Sequence, residues 1–248
     1  MRVDCSIMAG AERQSRGALP FASAGAALFA FALLYFLYAY LVRFGTSVPG
    51  TVFPAVLVNV LLFSLFALHH SLLARARMKA RVQRITGSTL ERSVYTWIAS
   101  LLFLLVCWAW QPVPGALYTL SGLAALPGYG LQGLGIVLTV LSSARLDPLD
   151  LAGLRPILLQ RSGGDPRPMT LETGGFYRLV RHPLYLGWVL FVFGAPQMTM
   201  TRLVFACVST AYLAIAIPLE ERSLVHAFGS RYREYQDRVR WKMVPGLY

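Results

Sequence analysis

The chain has 248 residues, 56% of them hydrophobic and 14% charged, with a mean hydropathy of +0.55. Its apolar residues lie in long blocks rather than short amphipathic periods, which excludes an ordinary globular domain and marks a polytopic membrane protein. The net charge of +12 would suit nucleic acid in a soluble protein, but nearly all the basic residues lie between apolar blocks, so the partner indicated is a lipid bilayer and no nucleic acid.

In chain order, residues 1–17 form a polar tail with Arg2, Arg13 and Arg16. The run from Ala18 to Val42 exceeds the roughly 7–15 residues of a signal-peptide core, so it reads as a retained first span. Blocks of bilayer length predict six helices, about 18–42, 52–73, 93–110, 115–143, 184–198 and 203–219, and with them an all-α fold. Only Thr199 to Arg202 separate the last two, which predicts a tight C-terminal helical hairpin. The chain divides into the tail, a four-helix transmembrane region over 18–143 and a C-terminal core over 144–248.

Of the 23 lysines and arginines, three lie in the tail, six in the 74–92 loop, six in the 144–183 loop and six after residue 219. Only Arg43 and Arg202 fall on the opposite side. The positive-inside rule then places both termini and both long loops in the cytoplasm, with the membrane read as a bacterial inner membrane. Gly128 to Gly133, GYGLQG, matches a dinucleotide fingerprint but lies inside an apolar span, where small residues serve close helix packing, within one chain or between two. His69-His70 closes the second helix without further metal ligands at suitable spacing, and Cys5, Cys107 and Cys207 are scattered, so no metal site is expected. Gly163 to Pro168, GGDPRP, reads as a flexible turn.

The polar residues that cost most in such a chain are the informative ones. Arg181-His182-Pro183 reads as a helix start, where free backbone N–H groups and two cationic side chains favour an anion. After the hairpin returns the chain to the same face, Glu220-Glu221 arrives opposite. An anion site, a carboxylate and the rings of Tyr177 and Tyr185 suit a zwitterionic amino acid bearing a sulfonium, which describes S-adenosylmethionine. The competing reading is that Arg181 pairs with one of the glutamates and seals the interface.

The run Tyr177 to Gly187, YRLVRHPLYLG, followed by Glu220-Glu221, Phe228-Gly229, Tyr232, Tyr235, Val239 and Pro245, resembles the isoprenylcysteine carboxyl methyltransferase superfamily of membrane methyltransferases. Asn59, the FALHHS run at 66–71, ERSVY at 91–95, Trp110-Gln111-Pro112 and DLAGLR at 150–155 resemble its bacterial branch of methanethiol S-methyltransferases and NnrU-like proteins. The resemblance implies a cytoplasmic S-adenosylmethionine pocket touched by Met169, Thr170, Leu171, Glu172, Tyr177, His182, Pro183, Leu184, Tyr185 and Glu220, to which the charge argument adds Arg181 and Glu221. The prenylcysteine enzymes carry an arginine four residues before the first glutamate, and Ala216 stands there in this chain, which favours a small thiol or lipophilic acceptor over a free carboxylate. For a thiol the thiolate is the nucleophile, with His182 and His70 as candidate bases. An NADPH-dependent reductase, with Arg178, Arg181, Arg231 and Arg233 on the extra phosphate, and a non-catalytic membrane protein are the alternatives.

Overall fold

The computed structural model describes residues 5–73, 75–162, 164 and 170–248, with 5–16 and 76 described by their backbone alone. Met169, and all of the expected Gly163–Pro168 turn but Gly164, lie outside the described residues. Helix α1 (Cys5–Leu41) is followed by α2 (Val52–Leu73), the short basic α3 (Ala76–Thr86) and α4 (Glu91–Ala109). Strand β1 (Ala116–Thr119) leads into α5 (Leu126–Ala144), and α6 (Pro148–Leu151) and α7 (Arg155–Ser162) lie in the long loop that follows. The chain closes with α8 (Pro183–Phe193), β2 (Gln197–Thr199), α9 (Met200–Phe228) and α10 (Ser230–Arg238). Stretches 17–45, 52–73, 91–109, 122–144 and 200–228 are long and apolar enough to cross a bilayer, so the protein is an all-α polytopic membrane protein.

Two of the six expected spans differ from continuous helix. The fourth block opens with β1, and α5 begins only at Leu126, with Pro127 in its first turn. The fifth is helical for 11 residues, about 16 Å at 1.5 Å per residue, roughly half of a hydrocarbon core. Gly194 and Pro196 end it, and β2 then pairs antiparallel with β1, Ala116 opposite Thr199 and Thr119 opposite Gln197. Extended backbone in an apolar surrounding needs partners for its N–H and C=O groups, and β1 supplies them. A short strand therefore replaces the tight turn expected between the last two helices.

Arg43 and Arg202, the two cations on the sparse side, close helix ends. Arg43 donates to the carbonyls of Cys107 and Trp108 at the end of α4, both at 3.3 Å. Buried Arg202 donates to Tyr40 and Leu41 at the end of α1 and to Gln197 of β2, at 3.0, 2.7 and 2.6 Å. Between these ends the core is aromatic: Phe36, Tyr40, Phe63, Phe191 and Phe205 are buried together, with Trp188 stacked on Phe36 at 4.8 Å between ring centroids.

Helices α5 and α8 approach most closely, and glycine makes this possible. A Cβ on Gly135 would stand 2.5 Å from the Gly187 carbonyl oxygen, and one on Gly187 2.7 Å from that of Gly135. Gly128 meets the Gly194 carbonyl in the same way, whereas Gly130 and Gly133 have open space around them. Two of the three glycines of GYGLQG thus serve no close contact among the described residues. Gly187→Val should push the two backbones apart and cost about 1–3 kcal/mol by overpacking, read as a lowered melting temperature in detergent. Gly133→Val in the same assay should leave the melt near the parent's.

Candidate functional site

The site is built on the turn that enters α8. The backbone N–H groups of Arg181 and His182 donate to the carbonyls of Trp241 and Lys242, at 2.9 and 2.8 Å, so the segment after α10 straps the turn in place. Arg181 also sends Nη1 to the carbonyls of Val239 and Arg240, at 2.7 and 3.1 Å. Its other face forms a fork with Glu221: Nε to Oε1 at 2.6 Å and Nη2 to Oε2 at 3.2 Å, with the two side chains only 7% and 8% exposed. Gln236 donates to Glu221 Oε2 at 3.2 Å. Arg181 is thus fully employed by protein groups, and the N–H groups of 181 and 182 expected to hold an anion are already paired. What remains for an anion is the first turn of α8 itself, which begins at Pro183 without a side-chain cap.

Glu220, beside Glu221 in sequence, faces a different way. Its carboxylate is 44% exposed and accepts from the Tyr185 hydroxyl at 2.8 Å. The Tyr185 and His182 rings stack at 5.3 Å with an interplanar angle of 3°, because they lie one helical turn apart. His182 Nε2 stands 3.4 Å from Glu221 Oε1, and Nδ1 3.9 Å from Glu220 Oε2. Both ring nitrogens therefore face carboxylates, and Leu184, between the two rings in sequence, is half-buried.

The stretch before the turn is arranged around Tyr177. Its hydroxyl donates to the Ser142 carbonyl at 3.5 Å, and its own carbonyl accepts from Tyr235 at 2.6 Å. Burial, with the Glu172 carboxylate next, pushes the Tyr177 phenol up to about 12, so it stays neutral at working pH. Glu172 accepts from the Gly174 N–H at 2.6 Å and pairs with Arg145 at 3.5 Å. Leu171 packs on the cluster of Tyr177, Tyr232, Tyr235 and Val239, while Thr170 is exposed.

The N-terminal motifs converge from the other side. Asn59 exchanges two hydrogen bonds with the backbone of Gln111, at 2.8 and 2.7 Å. The 150–155 segment docks on the start of α4: Arg92 pairs with Asp150 at 3.5 Å, and Ser93 donates to the Gly153 carbonyl at 2.7 Å. The Arg155 guanidinium holds the Asp147 carboxyl below the usual carboxylate range. His70 Nδ1 lies 3.0 Å from the Tyr212 hydroxyl, and its ring packs edge-on against Tyr95 at 5.6 Å. Sequence reading passed over Tyr95 as a site residue and Tyr212 altogether. A phenol among the apolar residues of α9, eight residues before Glu220, was the signal available for Tyr212.

No family model matches the chain, and no solved structure does. Over 200 residues it is 38% identical to methanethiol S-methyltransferase 2 of Bradyrhizobium diazoefficiens, covering 81% of this chain and 77% of that protein. Over 186 residues it is 39% identical to the methanethiol S-methyltransferase of Crocosphaera subtropica, covering 75% and 73%. A more distant likeness, 28% over 186 residues and 71% and 67% of the two chains, is to nurim of Danio rerio.

Removing one member of the buried fork leaves the other charged and unpaired, a loss of about 3–5 kcal/mol. Arg181→Ala and Glu221→Ala should therefore each lower the melting temperature sharply. Arg181→Lys should recover only part of the loss, because an ammonium cannot serve Glu221 and two carbonyls with the same planar geometry.

Proposed function

This chain belongs to the methanethiol S-methyltransferase family of membrane methyltransferases, and we propose that it transfers a methyl group from S-adenosylmethionine to methanethiol, giving dimethyl sulfide. The observation that carries the cofactor assignment is Glu220, a half-exposed carboxylate beside a stacked imidazole–phenol pair at the entrance of an uncapped helix. That donor set fits a zwitterion with a cationic sulfur. Glu220 takes the ammonium, the Leu184 N–H next to Pro183 at the start of α8 the carboxylate, and the rings of Tyr185 and His182 the sulfonium side. Tyr177 stands within reach of both the Glu172 and the Glu220 charge, with Leu171 packed beside it; Thr170 joins the set by the resemblance. Met169 is carried into this set by the resemblance alone. Arg181 and Glu221 take a different part, holding His182 and the start of α8 rather than touching the ligand.

Bound there, S-adenosylmethionine supplies an electrophilic methyl group for in-line displacement. The work left to the residues is orientation and the exclusion of water, which together supply roughly 7–11 kcal/mol in favourable cases. The clamp of Arg181, Glu221 and the 239–242 carbonyls is rigid enough to hold the His182–Tyr185 pair in register. The acceptor enters from the apolar side, where α9 carries Ala216 in place of an arginine. A small thiol fits that position because nothing there pairs with a carboxylate. The basic loops support a site on the cytoplasmic face of a bacterial inner membrane, with both termini on the same side.

Detergent-purified protein given methanethiol and S-adenosylmethionine should release dimethyl sulfide, read by headspace gas chromatography. Glu220→Gln should weaken S-adenosylmethionine in a binding titration by about 1.5–3 kcal/mol, roughly 10- to 150-fold, with an unchanged melt. A parent that binds the cofactor but makes no dimethyl sulfide would move the acceptor to another thiol, an isoprenoid or a lipid. A parent that binds no S-adenosylmethionine would overturn the proposal.

A further inference from the structure

A second polar cluster, on the apolar side of Glu220, has no part in holding the cofactor. His70, the penultimate polar residue of α2, has Nδ1 at 3.0 Å from the Tyr212 hydroxyl of α9, which is itself 3.3 Å from Ser71 Oγ. Tyr95 of α4 closes the cluster against the His70 ring, with the Arg92 guanidinium 5.6 Å above its own ring and His69 stacked on it. The phenols of Tyr95, Tyr185 and Tyr212 lie close enough to one another and to Glu220 for its charge to act on all three. Phe63 and Phe66 pack on Tyr212 and His70 from below. Tyr212, Ala216 and Glu220 recur every four residues, so they share one face of α9. The residue between phenol and carboxylate on that face, at 216, is an alanine.

We infer that this cluster is the acceptor site, with His70 as the base that takes the thiol proton and Tyr212 as the residue that positions it. This rests on the methyl-transfer reading above. His182 is the poorer base, since both its nitrogens face carboxylates. Among the described residues His70 meets no carboxylate; its ring packs on Tyr212 of α9, Tyr95 of α4 and Phe66 of α2, with the Arg92 guanidinium and His69 as the nearest charged or titratable groups. With the ring proton on Nδ1, donated to the Tyr212 oxygen, and the Tyr212 hydroxyl donated to Ser71, the lone pair of Nε2 is free. As the thiol sulfur forms its bond to the methyl carbon, the methyl–sulfonium bond breaks and its electron pair stays on the departing sulfur. The thiol proton moves to His70 Nε2 and from there to water. Only neutral imidazole with this tautomer does this, and it requires Tyr212 to accept from Nδ1 rather than donate to it.

Acceptor acidity provides the test. Methaneselenol is anionic at neutral pH and needs no base, whereas methanethiol is almost wholly protonated and does. A positioned base contributes about 10²- to 10⁴-fold, so His70→Gln should cut turnover of methanethiol by at least the lower figure. Tyr212→Phe, which keeps the ring and its packing on Phe63, should cut it roughly 10- to 100-fold, less than loss of the base itself. Both variants should turn over methaneselenol at close to the parent rate and bind S-adenosylhomocysteine with the parent's affinity in a titration. Equal losses with the two acceptors would make the cluster structural and overturn the inference, as would full methanethiol turnover in both variants. A parent inactive on both acceptors would instead remove the methyl-transfer reading on which the inference rests.

Discussion

Carbonyl groups at the ends of helices have no water to turn to inside a bilayer, and three arginines answer for them here. Arg43 takes those of α4, Arg202 those of α1 together with one from β2, and Arg181 those that follow α10. A guanidinium suits the task because it carries five N–H donors in one plane and stays charged. This gives Arg43 and Arg202 a purpose on the side of the membrane where cations are otherwise scarce. The third case is different in one respect. Arg181 has a carboxylate on its other face, so the same side chain that closes a backbone end also fixes α9 against the start of α8. Everything proposed for the cofactor hangs from that fork, because His182, Pro183 and Tyr185 are placed by the turn it holds.

Much of this could be read from residues alone. The lengths of the apolar blocks gave the order of the helices. The RHPxYxG motif resolves into separate physical duties: a clamp at Arg181, a stacked ring pair at His182 and Tyr185, a helix start at Pro183 and a close helix contact at Gly187. The glycine could be recognised as special but its partner could not, since Gly135 lies 52 residues earlier. Strands β1 and β2 were illegible for the same reason. Each is a tri- or tetrapeptide, too short to carry a strand period of its own, and only the pairing across some eighty residues makes it extended. Pro114, Gly115, Gly194 and Pro196 were the local marks of a break.

The acidic pair shows a finer limit. Adjacent residues on a helix point about 100° apart, so Glu220 and Glu221 face different ways with His182 between them, yet nothing in the sequence says which one is buried. Packing decides it: Glu221 looks toward Arg181 and Gln236, and Glu220 toward Tyr185 and the gap beside α9. Sequence reading offered two explanations for these residues, an ion pair that seals an interface and a carboxylate that binds a ligand. The ion pair belongs to Glu221, and Glu220 keeps the exposed side on which the proposed ligand contact rests.

That separation bears on how a polar cofactor and an apolar acceptor meet in one protein. Helix α9 has 29 residues, about 43 Å at helical rise, which is more than a bilayer core requires. Its excess length carries Glu220 and Glu221 to the boundary while Tyr212 stays about 12 Å deeper along the axis. The face through Tyr212, Ala216 and Glu220 therefore runs from the apolar interior to water, with its smallest side chain in the middle. A charged residue at 216 would close that path and pair with Glu220, turning the gap into a second sealed interface. With alanine there the carboxylate keeps its exposed side free. On this view the acceptor range is set less by contacts made than by the single side chain withheld.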